Sequence, residues 1–114
     1  VRVKRGTKAR RRRNKVLERA SGYRGAGSRV FSVAKERNDR AMVFAYRDRK
    51  VRKREFRKLW IARLSAACKL NNTSYSRFMG AMVKSKIELD RKVLSDMAIY
   101  NPQDFSKLVK KLLP

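Results

Sequence analysis

Residues 46–64, YRDRKVRKREFRKLWIARL, decide how this chain is read, because a run crowded with arginine and lysine passes without a break into an apolar pattern of helical spacing. Eight of the twelve residues from Arg47 to Lys58 are cationic (Arg47, Arg49, Lys50, Arg52, Lys53, Arg54, Arg57 and Lys58), and only Asp48 and Glu55 are acidic. On a helix turning about 100° per residue, those cations cover about two thirds of the circumference, while Asp48 and Glu55 share the remaining sector with Val51 and Leu59. A helix lying on a membrane needs one broad apolar face opposite a basic one. This segment instead suits negative charge on several sides, which a folded nucleic acid offers.

On the carboxyl side of the basic run, Leu59, Trp60, Ile61, Leu64, Ala67 and Cys68 recur at three- and four-residue spacing and predict one packed helix face. On the amino side there is neither glycine nor proline from Ser28 to Met79, so a helix capped by Ser28 or Ser32 is expected to run until Asn71-Asn72. Some 40 residues at 1.5 Å each extend about 60 Å. The first part of such a helix is expected to project beyond any core and the last part to pack.

After the Asn71-Asn72-Thr73 turn, Ser74 is the expected cap of a helix carrying Tyr75, Phe78, Met79, Met82 and Val83. The chain turns again near Ile87-Glu88-Leu89, and Asp90 is the expected cap of a helix lined by Val93, Leu94, Met97 and Ala98. Asn101-Pro102-Gln103-Asp104 combines an N-cap, a proline at the first helical position and an acid in the first turn. It leads to Phe105, Leu108, Val109 and Leu112. No alternating strand pattern competes. The expected fold is all-α: a long basic helical N-terminal extension, residues 1–58, joined to a small C-terminal helical bundle, residues 59–114. About 55 residues make a marginal core, to whose stability binding of a partner would add.

Residues 1–20 carry Arg10, Arg11, Arg12 and Arg13, followed by Lys15, Val16, Leu17, Glu18 and Arg19. This segment is expected to become a short helix once its charges are neutralised and to be disordered alone. A glycine-rich elbow near residues 22–27 follows. It reads either as a plain linker or as backbone lying against phosphate while Tyr23 or Arg24 stacks on a base.

Composition narrows the function classes. In 114 residues, 33 Lys plus Arg stand against 9 Asp plus Glu, a formal charge of +24. Residues 1–60 hold 23 cations and 5 anions, net +18, and residues 61–114 hold 10 and 4, net +6. Self-repulsion of that size opposes compaction, and a polyanion relieves it while releasing its own condensed counterions. Lys50 with Arg54, Lys53 with Arg57, and Arg54 with Lys58 are like-charge pairs at i,i+4, which weaken an isolated helix. Arginine outnumbers lysine here, and its planar fork holds phosphate bidentately and stacks on bases.

One cysteine, Cys68, and no histidine exclude an intramolecular disulfide and a Cys/His zinc site. They also remove the commonest general base, and no phosphate loop or spaced carboxylate motif replaces it. The reading is therefore non-enzymatic, with no catalytic residue, metal, cofactor or small-molecule substrate. Cys68, on the apolar face with Leu64, reads as packing rather than a nucleophile. Trp60 reads as a bundle anchor in preference to a base-stacking residue, and Tyr46 is balanced between the two. The apolar run at residues 41–46 is far below the roughly 20 residues of a spanning helix, so no membrane partner is expected. Val1 suggests a removed initiator methionine, and the basic start imitates a transit or nuclear signal without its usual limits.

The blocks Tyr46-Arg47-Asp48-Arg49-Lys50, the run from Lys53 to Leu64, and Ser74-Tyr75-Ser76-Arg77-Phe78 resemble the bacterial-type large-subunit ribosomal protein family numbered twenty. Arg2-Val3-Lys4-Arg5-Gly6, Gly22-Tyr23-Arg24-Gly25 and Asp90-Arg91-Lys92-Val93-Leu94 with Asp96 resemble it as well, so that the likeness covers essentially the whole chain. The resemblance implies an arm that penetrates large-subunit rRNA, a helical domain that binds the RNA near the subunit surface, and a role early in assembly. It also implies contacts with neighbouring ribosomal proteins and, in some bacteria, repression of the protein's own messenger. The ribosome would be that of a bacterial cytoplasm or an organelle. Asn71-Asn72-Thr73 departs from the glycine-containing turn of many members. Arg10, Arg11, Arg12, Arg13, Arg24, Arg29, Arg47, Arg49, Lys50, Lys53, Arg54, Arg57 and Arg63 are the expected phosphate or sugar contacts, with Tyr23, Tyr46, Ser74, Tyr75 and Ser76 as a weaker set. A basic DNA-packaging or regulatory protein is the alternative that composition permits.

Overall fold

The computed structural model describes residues 2–4 and 6–114. Val1, on which the processing expectation rests, and Arg5, in the first of the resembling blocks, lie outside the described residues. Among the described residues the architecture is all-α, with an extended helix on the amino side of a compact helical bundle. Its elements are α1 (Lys8–Arg19), a 3-10 turn (Gly25–Ser28), α2 (Phe31–Leu70), α3 (Tyr75–Lys84), α4 (Arg91–Tyr100) and α5 (Pro102–Leu112). The chain divides into two compact units, Val1–Lys50 and Val51–Pro114.

In the first unit, α1 is the short helix that the segment after Thr7 was expected to form. Its contacts are made by the arginines themselves. The Arg13 guanidinium lies 5.5 Å from the centre of the Phe31 ring, and Arg19 Nη1 donates to Met42 Sδ at 3.6 Å, so long stems supply apolar surface while their heads stay charged. The connecting segment turns through Gly22 (φ 87) and Gly25 (φ 61), left-handed positions that favour glycine. Arg37 Nη1, from α2, then donates to the Arg24 carbonyl at 3.1 Å. Gly27 is buried directly under Arg37, and a Cβ there would come within 3.0 Å of Arg37 Cδ. Ala20, Ala34 and Asn38 are buried in the same unit. Small side chains thus set this packing.

The start of α2 differs from expectation. Ser28 is the last residue of the 3-10 turn and donates its hydroxyl to the Gly25 carbonyl at 3.1 Å, and Ser32 lies inside the helix, so neither serine is its boundary residue. Val30 N–H donates to the Ala26 carbonyl and Val30 C=O accepts from Ala34, which carries the chain from one helical turn directly into the next.

In the second unit, α2 ends in a left-handed turn. Asn72 (φ 59) allows Thr73 N–H to reach the Cys68 carbonyl and Asn72 N–H the Lys69 carbonyl, the paired bonds of a Schellman terminus. Asparagine here does what glycine does elsewhere, because its short polar side chain tolerates this backbone. Ser74 accepts from Arg77 N–H at 3.3 Å and Asp90 from Val93 N–H at 2.8 Å, so both expected caps form. Asn101 occupies the N-cap position of α5, but its side chain makes no capping bond. The Pro102 start and the acidic Asp104 remain.

The core of this unit is Leu64 and Cys68 from α2, Phe78 and Met82 from α3, Leu94 from α4, and Phe105 and Val109 from α5. Phe78 and Phe105 meet in a tilted pair with ring centres 5.3 Å apart. Trp60 is not among these residues. It is only half-buried and stacks on the exposed Phe56, with ring centres 6.4 Å apart, so the core begins one turn later, at Leu64. Leu59, Val83 and Val93 are exposed for the same geometric reason: they lie on helical faces that no other helix covers. Burial pushes the Cys68 thiol above its ordinary value by desolvating the thiolate, as a packing role requires.

Candidate nucleic-acid interface

The cations of α1 frame two concavities of the first unit. Lys4, Thr7, Lys8, Arg11 and Arg12 line one of about 880 Å³ around Gly6. Arg12, Arg13 and Lys35 line another of about 470 Å³ against Ala9, Val16 and Phe31. Arg10, Arg11, Arg12 and Arg13 are all exposed, and no carboxylate lies within ion-pair distance of them among the described residues. Arg24 and Arg29 flank the 3-10 turn, both exposed, and the Arg24 carbonyl is fixed by Arg37. Tyr23 is half-buried beside them.

Along α2 the basic residues separate into engaged and unengaged groups. Arg47 pairs with Asp48 at 3.0 Å and lies 4.7 Å over the Phe44 ring. Lys50 Nζ sits 4.3 Å over the Tyr46 ring and donates to its hydroxyl at 2.9 Å, so one face of Tyr46 is covered by a cation. Lys58 pairs with Glu55 at 3.2 Å. These pairs are exposed and individually weak. Arg49, Arg52, Lys53, Arg54 and Arg57 have no intrachain hydrogen bond or ion pair among the described residues, and all are exposed. Two acids cannot neutralise eight cations, and the surplus faces outward. Arg63 is exposed one residue before the core begins.

Ser74 and Ser76 are exposed at the start of α3, and the Ser74 hydroxyl is occupied as a cap. Tyr75 is half-buried: its ring packs on the core, and its hydroxyl accepts from Arg91 Nε at 2.8 Å. Sequence reasoning did not select Lys4, Lys8, Arg37 or Arg91. Lys4 and Lys8 lie within the basic start and carried a weak signal. Arg37 carried none, and Arg91 fell within a block resembling the family without being singled out, because each is defined by a partner distant in sequence, Arg24 for one and Tyr75 for the other. The arrangement supplies a dense array of N–H donors and positive charge, chemistry suited to holding phosphate.

Comparison with known proteins fits this surface. A family model described as Ribosomal protein L20 matches residues 2–108. The chain belongs to this family. An L20-family chain has a structural, RNA-binding role in the ribosome and is not an enzyme. Among similar proteins named "Large ribosomal subunit protein bL20", that of Desulfotalea psychrophila is 59% identical over 107 residues, covering 94% of this chain and 91% of the relative. That of Geobacter metallireducens is 58% identical over 107 residues, covering 94% and 92%. That of Desulforapulum autotrophicum is 54% identical over 111 residues, covering 97% and 96%. The match to this L20-family chain spans both compact units, so the basic helices and the bundle are parts of one family pattern. No helix among the described residues is long and apolar enough to cross a membrane.

Proposed function

We propose that this chain is a constituent of the large ribosomal subunit of a bacterium, binds large-subunit rRNA directly, and acts early in assembly of that subunit. The observation that carries the reading is the outward surplus of unpaired arginine on α1 and α2 in a family of ribosomal proteins. An arm formed by residues 1–58, with its elbow near residues 22–27, screens phosphate repulsion where RNA helices converge. The domain formed by residues 59–114 adds a second, more rigid contact. Arg10, Arg11, Arg12, Arg13, Arg24, Arg29, Arg49, Lys53, Arg54, Arg57 and Arg63 contact phosphate or sugar, and Arg47 and Lys50 do so by exchanging their intrachain partners. Neighbouring ribosomal proteins share the site, and repression of its own messenger would draw on the same surface.

The test is order-of-addition reconstitution of large subunits. If the chain acts early, particles assembled without it stall as incomplete precursors, and adding it late rescues them poorly. Equal rescue at any stage would remove the assembly role. In the same mixtures, crosslinking to rRNA is expected at the named arginines.

A further inference from the structure

We infer that Arg91 is a phosphate ligand of the helical unit, and that Tyr75 is the residue that positions it rather than a contact to RNA; this rests on the RNA-binding reading above. Arg91, at the start of α4, donates Nε–H to the Tyr75 hydroxyl at the start of α3 over 2.8 Å. Both ends of this bond are fixed. The Tyr75 ring packs against the core, and the caps Ser74 and Asp90 hold the first turns from which the two side chains leave.

The bond uses one of five guanidinium donors. Nη1 and Nη2 of Arg91 have no hydrogen-bond partner among the described residues. No carboxylate pairs with them either: the ion pairs of those residues involve Arg47, Lys58 and Lys107, and the neighbouring Asp90 accepts from Val93 N–H. Arg91 is half-buried and has no acid beside it, and its Nη atoms stay open to solvent, since Ser95 Oγ is the one buried side-chain polar atom without a partner among the described residues. The Nη edge left open is the planar pair of donors that suits a phosphate. Because Tyr75 already holds the side chain, little rotamer freedom remains to be lost on binding. The exposed arginines of α2, such as Arg49 and Arg54, have no comparable support.

The experiment is a salt series of binding of the full chain to a large-subunit rRNA fragment, with thermal midpoint and far-UV circular dichroism recorded for every variant. Arg91→Gln is expected to weaken binding roughly tenfold, the size of a lost charge-assisted bond. It should also flatten the slope of log K against log salt by about one. Arg91→Lys should keep the slope and lose part of the affinity, and it decides the matter if Arg91→Gln fails to fold. Tyr75→Phe, which changes no charge, should weaken binding several-fold with the slope unchanged. The double variant should bind no more weakly than Arg91→Gln alone. Wild-type affinity and slope in Arg91→Gln would overturn the assignment. So would an undiminished effect of Tyr75→Phe in the absence of Arg91, or a Tyr75→Phe that lowers the thermal midpoint yet leaves affinity intact. A wild-type chain that does not prefer ribosomal RNA would instead count against the proposed function, since the losses at Arg91 are read against the wild type on the same RNA.

Discussion

Asn72 and Lys86 both adopt left-handed backbone, with φ 59 and 55, at matching places after α2 and α3. In each case the bonds close in the same way, Thr73 to Cys68 and Ile87 to Met82. Asparagine adopts this conformation at less cost than lysine, so Lys86→Gly is expected to raise stability by about 1 kcal/mol, whereas Asn72→Gly should change it less. Urea unfolding checks both, and a less stable Lys86→Gly would show that the lysine side chain contributes more than its backbone costs. Cys68 gives a pH signature. Its buried thiol holds its proton more tightly when folded than when unfolded, so above the ordinary thiol range the unfolded state ionises first and stability falls as pH rises. Measured from pH 8 to 10, the wild type should lose more stability than Cys68→Ala does, and equal losses would mean that the thiol is not desolvated. The role of Cys68 was legible because Leu64 lies one turn away on the same face. Trp60 misled because periodicity along one helix defines a face but not the point at which partner helices begin to cover it.

The extent of α2 was readable to within a few residues, since a segment lacking glycine and proline with helical spacing has few alternatives. Its beginning was not, because Ser28 bonds within the 3-10 turn and the entry depends on Ala26 and Val30 backbone groups, which no side-chain signature reports. The caps Ser74 and Asp90 were readable because capping is local chemistry of three residues. The place of the elbow was read from its glycines, whereas the contact between Gly27 and Arg37, ten positions apart, lay beyond local reading. Gly27→Ala is expected to displace Arg37 and loosen this turn without changing the charge. Hydrogen exchange should then accelerate at Arg29 and Val30, whose N–H groups donate to the Ala26 carbonyl, and unchanged protection would show that Arg37 simply swings aside. On α2, replacing Arg54 and Arg57 together with glutamine should flatten the salt dependence of RNA binding by between one and two. An unchanged slope would place them outside the interface.

Over the whole molecule, a formal charge of +24 is distributed so that the apolar core of the second unit is free of it and residues 1–60 carry most of it. That division was visible in the sequence as net +18 over residues 1–60 and +6 over residues 61–114, and it separates a strongly basic part from a packed part. The exposed arginines of the candidate site were legible for the same reason: a charge density that intrachain acids cannot match must face outward. What remained hidden were residues such as Arg91, whose orientation is fixed by a partner brought near only when the helices pack. Recognition of large-subunit rRNA beyond general attraction between charges is measured by competition at moderate salt among a large-subunit rRNA fragment, an unrelated RNA of equal length and duplex DNA. Strong preference for the ribosomal fragment is the expected result; equal binding to all three would leave charge alone as the source of affinity and overturn site recognition, and preference for the duplex would favour a DNA-packaging role instead.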